Sequence, residues 1–182
     1  MSSESERNFG LGVGNKCVTL AAPNTQWHEA YTLEAETIRK ALGDLALDIQ
    51  HIGSTSIPSI KAKPIIDIAV AVRRLDDGVT CIQPMEEIGY CYAGTDLVPD
   101  DHIFGRDIEG QTRTHLVHVV ELGGANWNHF ILFRDKLRAD PDIAHAYEAL
   151  KIDLAAKYAN NRAAYTASKK DFIEKVLAVS GD

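Results

Sequence analysis

The run Pro64-Ile65-Ile66-Asp67-Ile68-Ala69-Val70-Ala71-Val72 is one of the longest apolar stretches in this chain of 182 residues. A strand that is apolar on both faces is typical of the centre of a sheet that is covered on both sides. Asp67 interrupts this pattern, and a carboxylate there is costly to desolvate unless it is paired, hydrogen-bonded or bound to a metal ion. Asp67 is therefore either a structural partner of Lys61 or Lys63, a residue at the exposed end of the strand, or a functional residue.

The segment before this strand has the composition of a ligand-binding turn. Leu45 to Ile52 has the pattern of a strand, and Gly53-Ser54-Thr55-Ser56 ends it. Backbone N–H groups and hydroxyls in such a turn can point at phosphate oxygens, which makes His51, Gly53, Ser54, Thr55 and Ser56 candidate ligand-binding residues. An ordinary turn with a Ser or Thr cap explains the same pattern. The Gly-Lys-Ser/Thr ending of a Walker loop is missing.

Periodicity in the rest of the chain predicts an α/β (α+β) domain with a small mixed sheet flanked by helices and a helical C-terminus. We expect a flexible tail over residues 1–15 and a single domain over residues 16–180. Strands are predicted at 89–93, 103–106 and 113–121, and helices at 27–42, 79–87, 127–138, 143–158 and 163–179.

The strand at 113–121 carries two histidines. Because side chains alternate along a strand, His115 and His118 point to opposite faces and are not expected to bind one metal ion together unless a bulge intervenes. Asp67 and Ala69 share one face of their own strand. His118 is the better functional candidate if its face also carries Asp67. A second Asp at Ala69 would complete a pair of metal-binding carboxylates, but it is absent.

Composition limits the possible partners. The net charge is −7 and the pI about 5.5, so long nucleic acid is not an expected ligand. Three cysteines without CxxC spacing predict neither disulfides nor a zinc site. We find no stretch of bilayer-spanning length and expect a cytoplasmic protein.

The basic residues of the C-terminal third could pair with acidic neighbours or hold a phosphate or carboxylate. Arg134 and Arg138 share one helical face. They could pair with Asp135, Asp142 or Glu148, or clamp an anion, for which Arg is well suited. The other basic residues of this region are Lys136, Lys151, Arg162, Lys169 and Lys170.

Several of these motifs occur together in one known family. The run from His51 to Ile68 resembles the signature of the GrpB family, an uncharacterised group related to the nucleotidyltransferase superfamily. The Thr-His-x-x-His-Val strand over 114–119 and the Phe-Arg-Asp-x-Leu-Arg helix over 133–138 are similar to further motifs of that family. So are Tyr147 with Lys151, and Tyr165 with Lys169 and Phe172. The resemblance extends from about Val18 to Val176.

The resemblance implies a polymerase-β-like nucleotidyltransferase fold in which Gly53 and Ser54 receive a nucleoside triphosphate. Asp67 then matches the first metal-binding carboxylate, and His118 or Glu121 lies near the expected third metal ligand. The implied catalytic residues are Asp67 and His118, with Mg²⁺ or Mn²⁺ held by Asp67, His118 and Glu121. The expected phosphate-binding residues also include Lys63, Arg134, Arg138 and Lys169.

The expected partner is a nucleotide or another anionic small molecule, and the expected reaction is nucleotidyl transfer to a small-molecule acceptor. The missing carboxylate at Ala69 leaves two alternatives open. One is a non-catalytic module that binds a nucleotide or metabolite. The other is an ATP-using ligase or transferase on the same fold.

Overall fold

A computed structural model describes residues 9–14, 17–110 and 112–178. Its described residues form a mixed sheet of six strands, which are β1 Val13–Gly14, β2 Asp48–Ile52, β3 Ile66–Val72, β4 Cys91–Gly94, β5 His102–Ile108 and β6 Thr112–Glu121. The strand order is β2-β3-β6-β5-β4, and β1 pairs with β6 outside this path. Strands β3 and β6 are parallel and the other pairs are antiparallel. The predicted mixed sheet is confirmed, and the buried strand predicted at 64–72 extends from Ile66 to Val72.

Helices cover both faces of this sheet, as predicted. They are α1 Gln26–Leu42, α2 Asp77–Thr80, α3 Ile82–Glu87, α4 Ala125–Ala139, α5 Pro141–Lys157, α6 Arg162–Ala167 and α7 Lys170–Ala178. None of the described helices is long and apolar enough to cross a membrane.

The alternation of β3 separates two cores. Ile66, Ile68, Val70 and Val72 are fully buried in the larger core, together with side chains of α1 and α3. Ala69 and Ala71 lie on the opposite face, in a smaller core that also holds Trp127 of α4. Because alanine side chains are small, α4 packs directly against the sheet at this point. Asp67, on the same face of β3, lines a cavity.

The larger core contains a buried polar network. Arg106 Nη1 of β5 donates to Glu34 Oε2 of α1 over 2.6 Å, and Tyr90 donates its hydroxyl proton to Glu34 Oε1 over 3.0 Å. The Arg106 guanidinium also stacks 4.4 Å from the Tyr90 ring centroid. These contacts satisfy a carboxylate that would otherwise be costly to bury, and they tie α1 to the sheet.

Two predicted helices differ from the structure. The segment at 163–179 was expected to be one helix, but α6 ends at Ala167 and α7 begins at Lys170. The Lys169 N–H bonds to the Thr166 carbonyl in a tighter turn, and its ammonium lies over the Tyr165 ring. The segment at 79–87 also divides, between α2 and α3. Pro84 falls in the first turn of α3, where no intrahelical bond requires its missing N–H.

The flexible tail predicted over residues 1–15 lies only partly within the residues that the structure describes. Residues 1–8 and 15 of the expected tail lie outside the described residues. Within residues 9–14, Leu11 and Val13 are buried, and Val13 pairs with Arg113 of β6. A short strand therefore lies inside the segment expected to be a tail.

Candidate functional site

A cavity of about 440 Å³ lies between the sheet, α4 and the C-terminal helices. Its floor includes Ile52, Asp67, Leu116 and His118, which are neighbours across three strands. The register places Asp67 opposite Leu116 and Ala69 opposite His118. Asp67 and His118 therefore share one face, and His115 lies on the other, the opposition of the two histidines that alternation predicted.

The Asp67 carboxylate occupies space at the floor of the cavity that Gly53 leaves open. Gly53 has φ +68° and ψ −175°, a conformation that side chains other than glycine's rarely adopt. A Cβ at this position would collide with Asp67 Oδ2, so the missing side chain makes room for the carboxylate. Burial raises the pKa of the Asp67 carboxyl above its ordinary value, although nearby cations oppose this shift, His118 most strongly.

His118 is oriented by Asp101, a residue that the sequence analysis missed. Asp101 Oδ2 lies 2.6 Å from His118 Nδ1, and the carboxylate is completely buried. Burial lowers the pKa of His118, but the hydrogen bond and charge of Asp101, with the charge of Asp67, outweigh it and raise the pKa overall. Because a carboxylate accepts at Nδ1, that nitrogen carries a proton and Nε2 is left to act on a ligand.

Five of the described side chains that line the cavity are cationic, and two are carboxylates. The cations are Lys63, Arg134, Lys151, Arg162 and Lys169, and the carboxylates are Asp67 and Asp101. This surplus of positive charge stands out in a chain with a net charge of −7. The cavity is therefore suited to an anion.

Three lysines of this set lie against two tyrosines. The Lys63 and Lys169 ammonium groups lie 5.1 Å and 4.7 Å from the Tyr165 ring centroid. Lys151 is buried against Tyr147 and donates a hydrogen bond to the Lys61 carbonyl. Burial, reinforced by Lys169, lowers the pKa of Lys63 to about 8 and that of Lys151 to about 7. An anion placed among these groups would stabilise their charged forms.

The Gly-Ser turn is divided between the cavity and the interior. Gly53 and Ser54 line the cavity. The Thr55 hydroxyl donates to the Ile65 carbonyl over 3.0 Å, and the Ser56 hydroxyl donates to the Gly53 carbonyl over 2.6 Å. The last two hydroxyls therefore close the turn rather than face the cavity.

His51 lies on the opposite face of the sheet from Asp67. Its ring stacks on Tyr31 at 4.7 Å, and its Nε2 lies 3.0 Å from the Thr55 hydroxyl. Burial lowers its pKa to about 3. These contacts give His51 a packing role at this location.

The two predicted arginines hold α4 in place. Arg134 Nη1 donates to Gln50 Oε1 over 2.8 Å, while its Nε pairs with Asp135 over 2.7 Å. Arg138 Nε donates to the Ser56 carbonyl over 3.0 Å. Arg134 borders the cavity, but Arg138 is not among the side chains that line it.

The expected metal ligand Glu121 is not brought to Asp67. It lies opposite Val72 at the other end of β3, and alternation turns its side chain to the other face. Its carboxylate accepts a hydrogen bond from the Leu75 N–H over 3.3 Å. No group of three or more His, Cys, Asp or Glu residues in the described part of the chain could hold a metal ion.

The fold and the cavity define a mixed α/β domain with a cationic site between its sheet and its C-terminal helices. The family model described as GrpB protein matches residues 17–178, and the chain belongs to this family. The glutamate-rich protein GrpB of Alkalihalophilus pseudofirmus is 38% identical over 170 residues, covering 92% of this chain and 98% of that protein. A UPF0157 protein of Pseudomonas aeruginosa is 37% identical over 153 residues, which cover 83% of this chain and 62% of that protein.

A solved structure agrees with the fold. The crystal structure of the conserved protein GrpB from Enterococcus faecalis superposes with a TM-score of 0.79 at 31% sequence identity. The match covers 87% of this chain and 94% of that one. The family resemblance of the motifs is thereby confirmed in sequence and in structure.

Proposed function

We propose that this protein binds a phosphate-bearing small molecule in the cavity, and that a nucleoside triphosphate is its substrate for nucleotidyl transfer to a small acceptor. The observation that carries this proposal is the collection of cations around one cavity of an acidic chain. Lys63 precedes β3, whereas Arg162 and Lys169 lie at either end of α6, so the fold brings distant parts of the chain together. Ammonium groups bind phosphate as point charges, and a guanidinium can bind it through two parallel hydrogen bonds.

The Asp101–His118 pair supports a transfer reaction. Asp101 holds the imidazole so that Nε2 is directed away from this carboxylate. In its neutral form, His118 would take the proton of an acceptor hydroxyl as that oxygen attacks the α-phosphorus. The new phosphorus–oxygen bond forms while the bond to the leaving pyrophosphate breaks, and the cations of the cavity balance the charge on the phosphates.

A divalent cation would fit this site only in part. Mg²⁺ is often held by one or two carboxylates together with substrate phosphates, and Asp67 is the carboxylate that faces the cavity without a hydrogen bond from the described residues. Asp67 would hold Mg²⁺ or Mn²⁺ jointly with the ligand, and the ion would offset phosphate charge. Ala69 cannot contribute to such a site.

Ala69 also favours a second candidate function, a module that binds the nucleotide without transferring it. This fully buried alanine pairs with His118 in the register. A second carboxylate at its position would complete a site for two metal ions. Transfer enzymes that use two metal ions need carboxylates to hold both. Binding without turnover is the result expected of such a module.

The test incubates the protein with ATP, GTP, CTP or UTP and Mg²⁺ or Mn²⁺, and measures thermal stabilisation and pyrophosphate release. We expect stabilisation by at least one nucleotide, since a ligand that binds only the folded state raises its melting temperature. Asp67→Asn should abolish release, and Asp44→Asn, an exposed control, should retain it. Thermal stabilisation by a nucleotide, with no pyrophosphate released in the presence of any candidate acceptor, would favour the binding module. Absence of stabilisation by every nucleotide would contradict the proposal.

A further inference from the structure

The first turns of α4 contact the imidazole–carboxylate pair of the cavity from two directions. Phe130 places its ring 5.0 Å from the His118 ring. Asn126 is four residues earlier and therefore lies on the same helical face. Its side-chain amide donates hydrogen bonds to the Pro99 carbonyl over 2.8 Å and to the Asp100 carbonyl over 3.2 Å. Helix α4 is thus connected both to the imidazole and to the loop that carries its carboxylate partner.

The backbone at Asp100 adopts a conformation that needs support. Its φ of +58° lies in the left-handed region, which residues other than glycine adopt infrequently. Such a conformation persists only where the surrounding structure holds it. The Asp100 carbonyl belongs to the peptide that leads into Asp101, so the hydrogen bond from Asn126 fixes the orientation of that peptide. It thereby limits where the Asp101 carboxylate can point.

The other side of Asp101 is fixed by β5. His102 is buried, with Nδ1 2.8 Å from the Tyr92 hydroxyl and Nε2 3.1 Å from the Leu75 carbonyl. The register places the next residue of β5 opposite His118. Asp101 is therefore held from its C-terminal side by strand pairing and from its N-terminal side by the amide of α4.

From these contacts we infer that Asn126 is a positioning residue for the transfer reaction, which acts through Asp101 to hold the His118 imidazole in the orientation that takes the acceptor's proton. This inference rests on the proposed function and adds a residue to it. Asp101 contacts His118 through Oδ2, and its other oxygen has no hydrogen-bond partner among the described residues. The position of this carboxylate therefore depends on its backbone, which the Asn126 amide supports. A displacement of about 1 Å at a reacting group can lower a rate about a hundredfold.

The change Asn126→Ala tests this inference, with Asn128→Ala as the matched control. Asn128 also donates its amide over 2.8 Å, but to the Gly123 carbonyl in the turn before α4. Because alanine has the highest helix propensity, α4 should form in both variants. With the nucleotide that wild type turns over fastest, we expect Asn126→Ala to lower kcat for pyrophosphate release by about tenfold to a hundredfold and to leave nucleotide affinity within about threefold. Asn128→Ala should change neither by more than about twofold.

A second measurement needs no nucleotide. The Nδ1 proton of His118, held in a short hydrogen bond to a buried carboxylate, should give a downfield resonance in the proton NMR spectrum. Its absence from His118→Gln assigns it. We expect the resonance in wild type and in Asn128→Ala, and we expect Asn126→Ala to move it upfield or broaden it beyond detection.

The positioning role requires both changes, so either an unchanged kcat or an unchanged resonance in Asn126→Ala would overturn it. Equal losses of kcat in the two asparagine variants would also overturn it, because α4 as a whole would then be disturbed. If wild type released no pyrophosphate from any nucleotide, the proposed function would fail. The resonance would then decide alone whether Asn126 orients the Asp101–His118 pair.

Discussion

His118 Nδ1 lies 2.6 Å from Oδ2 of Asp101, a carboxylate without exposed surface. The second Asp101 oxygen has no hydrogen-bond partner among the described residues. The hydrogen bond to His118 is therefore the main contact that offsets the free-energy cost of burying this carboxylate. The pair joins the loop before β5 to the floor of the cavity. It sets which imidazole nitrogen is available to a ligand, and its charge raises the pKa of His118.

Replacing Asp101 by Asn should lower the pKa of His118. The change removes the charge that opposes the effect of burial, while a side chain of the same shape remains. Titration of the His118 ring protons by NMR measures the effect, and Asp100→Asn, on the exposed neighbour, is the control. An unchanged His118 pKa in Asp101→Asn would show that the short contact does not control the imidazole.

Replacing Gly53 by Ala should destabilise the fold more than the same change at Gly110. Both glycines have nearly the same φ, +68° and +69°, but a Cβ at Gly110 meets nothing within 4 Å. At Gly53 it would collide with the Asp67 carboxylate. We expect Gly53→Ala to lower the free energy of unfolding by about 2 kcal/mol more than Gly110→Ala, as measured by urea unfolding. Similar losses would show that backbone conformation alone, and not the contact with Asp67, requires this glycine.

Removal of Glu34 should break the buried network of the larger core. The Tyr90 hydroxyl would lose its acceptor, and the Arg106 guanidinium would keep its bond to the Ile88 carbonyl but lose the carboxylate that balances its charge. Glu34→Ala is expected to lower the free energy of unfolding by about 3 kcal/mol, whereas Glu36→Ala, at an exposed position of α1, should change it by less than about 0.5 kcal/mol. Urea unfolding of the two variants measures the difference. A loss below about 1 kcal/mol at Glu34 would mean that water replaces the network easily.

His51 should make the protein less stable in acid. Its pKa is about 3 when folded, compared with about 6.5 when unfolded. Below about pH 6.5 the unfolded chain therefore binds a proton that the folded chain does not, and stability falls as the pH falls. Between about pH 7 and pH 5, wild type should lose about 2 kcal/mol more than His51→Gln. Equal losses in the two proteins would place the acid sensitivity elsewhere.

The hydrophobic pattern of the sequence was sufficient to predict the strands at the centre of the sheet. The apolar run around Asp67 predicted a buried strand, and alternation predicted that His115 and His118 point to opposite faces of theirs. The register of β3 with β6 confirms both statements. These properties follow from the two-residue period of a strand and need no knowledge of what packs on it.

The remaining parts of the site depend on contacts between distant segments. Lys63 and Lys169 meet at Tyr165, beside the break at Ser168 and Lys169 in the helix that was expected at 163–179. Asp101 lies in an irregular loop with no periodic signal, and its partner is on another strand. Such contacts are set by tertiary packing, which periodicity does not encode. The hydroxyls of Thr55 and Ser56 were expected to bind a ligand, but they bond inward to backbone carbonyls. Periodicity could not predict this either, because it depends on the same tertiary packing.

The affinity of the protein for whichever of ATP, GTP, CTP and UTP binds it most tightly, measured by calorimetry at constant ionic strength with Mg²⁺, is the most direct test of the cationic cavity. Lys169 lies over Tyr165 at the cavity, whereas the adjacent Lys170 is exposed and pairs with Glu174 over 3.7 Å. We expect Lys169→Gln to weaken binding of that nucleotide by about tenfold or more, through loss of a charged hydrogen bond, and Lys170→Gln to leave it within about twofold of wild type. Equal affinities in the two variants would contradict the claim that this cavity binds phosphate.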